Sequence, residues 1–327
     1  LAEGPPWQAL RFAKGGRRVS TPAPSSPSSS EVEASFSHCR EITRREARNF
    51  YYGLRLTPEP RRSAVYSIYA WMRYADDQVD EAADLATKRV RLASLREMTA
   101  DALGGKVPTS DDGPSFWPAF VDTLARYPID HAHLTAMLDG LAEDLDHAGY
   151  DSWESLDRYC YRVGSTVGLV CIRIWGLRPA ASLAQAEELS TARGRAFQLT
   201  NILRDVARDF DDTPRRVYLP QSLLSAHGLS AESLRAWSGP AICSALMHHA
   251  AQRARDLYAQ SAPLESLIDP ACAPALWGMT QIYSRLLDVI DADPSAVFGT
   301  KRVSLSAARK GLIALTAAVR QRTGVWA

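Results

Sequence analysis

Apolar side chains recur every three to four residues over most of this chain, the period of an amphipathic helix. The pattern predicts helices over 61–83, 85–103, 132–147, 155–175, 181–210, 241–267, 272–291 and 305–322. Breaks fall at Pro58-Glu59-Pro60, Gly104-Gly105, Pro128, 176–179, Pro214 and Pro294, where loops or helix ends belong. Strand alternation is essentially absent. These elements fit one all-α domain over 35–327, a single bundle of antiparallel helices around a central cavity. Residues 1–34 are different material: 20–30 is rich in Ser, Pro and Thr, and Arg11, Lys14, Arg17 and Arg18 outnumber the nearby acids. Such a segment buries too little to fold and is expected to be disordered.

Two of the predicted helices carry a polar stripe beside their apolar one. Tyr69, Arg73, Asp76 and Asp80 stand at i, i+4, i+7 and i+11, next to Ile68, Met72, Ala75 and Val79. Gln198, Asn201, Asp205 and Asp209 stand at i, i+3, i+7 and i+11, next to Leu199, Ile202, Val206 and Phe210. Each aspartate pair therefore shares one helix face about a turn apart. Carboxylates so placed suit a hard divalent cation such as Mg²⁺, which keeps several of its waters; Mn²⁺ would also fit.

A single such pair is more often a solvated surface face. Here the arrangement occurs twice although like charges at i, i+4 cost a few tenths of a kcal/mol and Asp is a poor helix former. Neither stripe contains Lys or Glu. Two pairs facing each other would hold cations and, through them, the diphosphate of a substrate.

Composition narrows the class. The 327 residues are 46% hydrophobic, enough for a sizeable core. A net charge of +1, with no long run of one sign past the amino terminus, disfavours nucleic acid as a partner. The five cysteines are scattered and form no C-x-x-C, as expected of core residues in a reducing compartment. No stretch reaches the ~18 apolar residues of a transmembrane helix. A cytoplasmic protein taking lipid substrates at a membrane surface is expected. The Ser-rich, basic leading segment also fits a plastid transit peptide, against which the bacterial look of the aspartate blocks weighs.

Five blocks in order carry a family resemblance: Asn49-Phe50-Tyr51-Tyr52; Ile68 through Asp80; Tyr159-Cys160-Tyr161-Arg162-Val163 with Val167-Gly168; Gln198 through Asp209 with Arg216-Val217-Tyr218-Leu219-Pro220; and Ile282-Tyr283 with Lys301-Arg302-Val303. Through these the chain resembles the squalene/phytoene synthases, head-to-head prenyl transferases of the isoprenoid synthase fold. The run Asn-Ile-Leu-Arg-Asp followed by Val-Tyr-Leu-Pro is the most specific part.

The resemblance implies Mg²⁺-dependent condensation of two identical prenyl diphosphates through a cyclopropylcarbinyl diphosphate. It implies that Asp76, Asp80, Asn201, Asp205 and Asp209 hold metal. Arg73, Gln198, Asn201, Arg204, Arg216 and Arg302 are then expected at the diphosphates. Phe50, Tyr69, Tyr218 and Tyr283 are expected around the reacting chains, where aromatic faces stabilise carbocations. Tyr159 is expected near proton transfer and rearrangement. The small residues of Val163-Gly164-Ser165-Thr166-Val167-Gly168 suggest either cavity wall or tight helix packing, and the resemblance favours the wall.

Chain elongation also uses Asp-Asp-x-x-Asp, but the second motif here differs. A catalytically inactive scaffold of this fold should have lost its aspartates, and both pairs are intact. A di-iron site would need two Glu-x-x-His motifs, which are missing. Leu54 and Tyr66 are expected to close the far end of a hydrocarbon tunnel. That predicts two farnesyl diphosphates giving a C30 product of the presqualene diphosphate or squalene type, with NADPH needed only for squalene. The alternative is two geranylgeranyl diphosphates giving phytoene.

Overall fold

The computed structural model describes residues 27–80, 84–109 and 115–323. It is a helical bundle with no strand among the described residues; the nearest approach is one isolated bridge between Leu177 and Ile268. The helices are α1 (Ser29–Glu46), α2 (Arg48–Leu54), α3 (Arg61–Asp80), α4 (Leu85–Leu103), α5 (Trp117–Arg126), α6 (His131–Leu145), α7 (Trp153–Cys160), α8 (Thr166–Trp175), α9 (Leu183–Asp211), α10 (Gln221–Ala226), α11 (Ala231–Arg235), α12 (Pro240–Gln260), α13 (Leu264–Leu267), α14 (Ala273–Ala292) and α15 (Ala307–Thr323). Among the described residues no helix is long and apolar enough to cross a membrane.

The predicted segments are found with local corrections, and positions 81–83 of the first lie outside the described residues. The 241–267 pattern divides into α12 and α13 at Ser261-Ala262-Pro263, because Pro263 lacks the N–H a continuing helix needs. The 155–175 pattern contains a wide turn, Tyr161–Ser165, with π-helical bonding between α7 and α8. The body begins at Ser29 rather than 35. Ser28 and Glu31 form a reciprocal capping box, and Ser35 is buried and donates to the Ser115 carbonyl at 2.7 Å. Helicity thus extends into the segment expected to be disordered; its first 26 residues lie outside the described ones.

Helix α9 is the axis. Its 29 residues run about 43 Å at 1.5 Å per residue, and it packs against the π-turn, α8, α12 and α14. Glycine makes one of these contacts feasible. A Cβ on Gly194 would lie 2.3 Å from Ser165 Cα, and one on Gly164 would lie 2.7 Å from the Gly194 carbonyl oxygen. The two backbones touch, so the smallness of this stretch is demanded by helix packing, while Gly164 and Gly168 also face the cavity. Both alternatives raised by the sequence hold.

Candidate active site

Helices α3 and α9 carry the two aspartate stripes on facing walls, and the space between them has two joined compartments. The polar one, about 620 Å³, is lined by Asp76, Asp80, Asp205, Asp209, Tyr159, Arg216 and Tyr218. The apolar one, about 690 Å³, is lined by Phe50, Tyr69 and Tyr283 and continues between α2, α3, α8 and α14. Arg73, Asp76, Gln198, Asn201, Arg204 and Arg302 border both. Every residue expected at the metals, the diphosphates or the reacting chains therefore faces one continuous cavity.

The charges interlock across it. Arg216, just beyond α9, approaches Asp80 on α3 at 3.8 Å. Arg73 pairs with Asp77 on its own helix. Asp205 accepts from Arg204 Nε at 3.0 Å and from Arg302 Nε at 2.7 Å. Burial pushes the Asp205 carboxyl up, but these guanidinium bonds outweigh it and hold it below the usual range.

Its neighbours lack that relief. Burial, then the Asp80 charge, pushes Asp76 up to about 7. Burial, then the Asp205 charge, pushes Asp209 up to about 7. Asp76 keeps part of its surface open to the cavity, so water there tempers the effect.

This donor set suits divalent cations. The carboxylates are hard oxygen ligands destabilised by mutual repulsion, and the buried Oδ1 of Asn201 has no hydrogen-bond partner. Among the described residues no point gathers three or more His, Cys, Asp or Glu side chains. Mg²⁺ does not require that, since it commonly takes one or two carboxylates with waters and substrate phosphates.

A third feature was not legible in the motifs. Asp144 on α6 accepts from the Tyr218 hydroxyl at 2.8 Å and the Tyr159 hydroxyl at 3.0 Å. Burial raises its carboxyl to about 6, against the lowering effect of these bonds. Burial, then the charge of Asp144, also raises the Tyr159 phenol, which stays protonated. Asp144 follows Met137 and Leu141 at i+7 and i+3, so an acid on the buried stripe of α6 was the available signal. Phe197 was also missed; its ring centroid lies 4.8 Å from that of Tyr283, which in turn lies 5.0 Å from Phe50. Together they make an aromatic wall for the apolar compartment.

Tyr66 does not close the tunnel. Its neighbours on α3, Val65, Ile68 and Tyr69, face the cavity, whereas Tyr66 is turned about 100° from Val65 and lies near Tyr51, Arg55 and Arg62. Leu54 does line the compartment, whose deep end is formed with Val65, Cys171, Ile172, Trp175 and Leu276. Asp76 lies eleven helical steps from Val65, a depth of about 16 Å. Arg193 also lines it, with its guanidinium held by Glu265 at 2.6 Å and by Ser261 at 2.8 Å.

Residues 43–309 match the family model described as squalene/phytoene synthase. The chain belongs to the squalene/phytoene synthase family. It is 33% identical over 290 residues to the phytoene synthase of Mycobacterium tuberculosis, covering 88% of this chain and 91% of that protein. It is 34% identical over 286 residues to the 15-cis-phytoene synthase of Synechococcus elongatus, covering 85% and 90%. In structure it is similar to a dehydrosqualene synthase solved with a ligand, at a TM-score of 0.78 and 27% identity, covering 90% of this chain and 99% of that one. A squalene synthase from Alicyclobacillus acidocaldarius matches at a TM-score of 0.69 and 26% identity, covering 80% and 95%. The squalene/phytoene synthase chain is thus a prenyltransferase of the head-to-head class, whose members generally depend on a divalent metal. The related curated enzymes favour the phytoene alternative over the C30 reading.

Proposed function

We propose that this enzyme joins two geranylgeranyl diphosphates head to head, through a cyclopropylcarbinyl diphosphate, and releases phytoene. The observation that carries this reading is the joined cavity: a carboxylate- and guanidinium-lined chamber opens onto an apolar tunnel that Tyr66 does not block. The phytoene synthases among its relatives support the C20 substrate.

Asp76, Asp80, Asn201, Asp205 and Asp209 would hold Mg²⁺, which supplies charge neutralisation for the departing diphosphate. Arg73, Arg204, Arg216 and Arg302 border the same chamber and donate to phosphate oxygens. Gln198 beside them orients the reacting end. Phe50, Tyr69 and Tyr283 turn apolar or π surface to the allylic cation and exclude water. Tyr159, with its hydroxyl held on Asp144, takes up the proton lost at the end of the reaction as its own proton passes to that carboxylate. Tyr218 fixes the other Asp144 oxygen. Phytoene formation ends in proton loss, so NADPH has no role in it.

Incubation of purified enzyme and Mg²⁺ with equal farnesyl and geranylgeranyl diphosphate tests the reading. Phytoene should dominate; a C30 product in excess would return the enzyme to the squalene-type branch, which the dehydrosqualene synthase likeness makes the second reading.

A further inference from the structure

Helix α15 has two apolar faces, and among the described residues only one is packed. Ile313 and Ala317 are buried at 7% and 0% exposure, packing the helix towards α14 and α2. Leu312 and Leu315 point the other way at 64% and 62% exposure. These are among the most exposed large apolar side chains of the described residues. Scattered single leucines on a surface mean little; a stripe on one helix does.

The charges on this helix have one sign. The helix sequence contains Arg309, Lys310, Arg320 and Arg322 and no acid. A groove of about 830 Å³ runs between α14 and α15, walled by Trp277, Arg285, Arg309, Leu312 and Arg320. Arg320 stacks over the Trp277 ring at 4.6 Å. The side chains of Arg285 and Arg309 enter no ion pair among the described residues. Asp288 also lines the groove and is met by Arg255 at 3.4 Å. An indole, cations and exposed leucines gathered on one face are the side chains that a lipid interface takes.

The helix also abuts the cavity. Lys310 lines the apolar compartment and stands over the Tyr52 ring at 6.0 Å. A surface that engaged Leu312 and Leu315 would therefore sit one helix face from the chamber that handles prenyl chains.

We infer that the outer face of α15, with the α14–α15 groove, docks on a bilayer of anionic lipid. The leucines enter the acyl boundary while Arg285 and Arg309 meet lipid phosphates. The charge complementarity selects this occupant, since a second copy of the chain would set these cations against each other.

Co-sedimentation of the full chain with vesicles tests this, using phosphatidylcholine alone and an equal mixture with phosphatidylglycerol. The enzyme should pellet with the mixture, stay in solution with phosphatidylcholine alone, and be released by added salt. Leu312→Glu/Leu315→Glu and, separately, Arg285→Glu/Arg309→Glu should each weaken partitioning by about tenfold or more, with circular dichroism and melting temperature unchanged. Four results would overturn the inference: wild-type protein that ignores both vesicle types, wild-type protein that binds both equally, variants that both partition like wild type, or light scattering that shows a dimer split by Leu312→Glu/Leu315→Glu, which would make the face a contact between copies.

Discussion

At the scale of single residues, the site stores charge that the protein alone does not balance. Burial and a neighbouring carboxylate push Asp76 and Asp209 up towards about 7 from their ordinary 3.8. The ligand-free fold therefore gains most from these groups below about pH 4 and loses that gain as pH rises towards about 7. Asp209→Asn should raise the melting temperature at pH 8 in EDTA by roughly 2–4 °C relative to wild type, while cutting the rate of diphosphate release by orders of magnitude. Calorimetry and single-turnover assays on one preparation check both; a variant that is inactive and also less stable at pH 8 would contradict the repulsion argument. Arg193 obeys the opposite rule. Its guanidinium is 3% exposed and every N–H direction is taken by Ser261, Glu265 or Thr280. Arg193→Ala strands the Glu265 carboxylate, so chemical denaturation should report a loss of about 3–5 kcal/mol.

At the scale of elements, the contact between α9 and the π-turn sets how far apart the cavity walls stand. The approach of Gly194 to Ser165 leaves no room for a methyl group. Gly194→Ala should cost about 1–3 kcal/mol of stability by overpacking and slow turnover by shifting Gln198 and Asn201, which follow one and two turns along α9. A urea midpoint and product assay unchanged from wild type would show that the backbones can separate freely. The sequence marked these glycines as costly in mid-helix. It could not reveal that the neighbour is another backbone, because residues 165 and 194 meet only through folding.

At the scale of the whole molecule, substrate length is a property of several helices together. The tunnel ends where α2, α3, α8 and α14 converge, at Leu54, Val65, Cys171, Trp175 and Leu276. Filling that end by Val65→Phe should lower geranylgeranyl relative to farnesyl turnover by roughly 30-fold or more, since one five-carbon unit is worth about 2–3 kcal/mol of burial. Tyr66→Ala should leave the preference unchanged in the same competition assay. The amino-terminal boundary also belongs to this scale. A chain truncated to begin at Pro27 should keep wild-type melting and turnover. Beginning at Ser35 removes the Ser28–Glu31 box and the first turn of α1, and should cost about 1 kcal/mol or more.

The helical period, the two aspartate stripes and the family blocks were determined by the sequence alone. Each depends on spacing within one helix, where 3.6 residues per turn converts position directly into direction. The spacing of Asp76 and Asp80, or of Asn201, Asp205 and Asp209, thus already put them on a common face. What faces that face is a different matter. Asp144 beneath Tyr159 and Tyr218, Arg302 closing on Asp205, Phe197 against Tyr283, and Tyr66 turned out of the tunnel are all long-range outcomes. They are set by how helices from distant parts of the chain pack their ridges and charges against one another, and only the tertiary structure decides that.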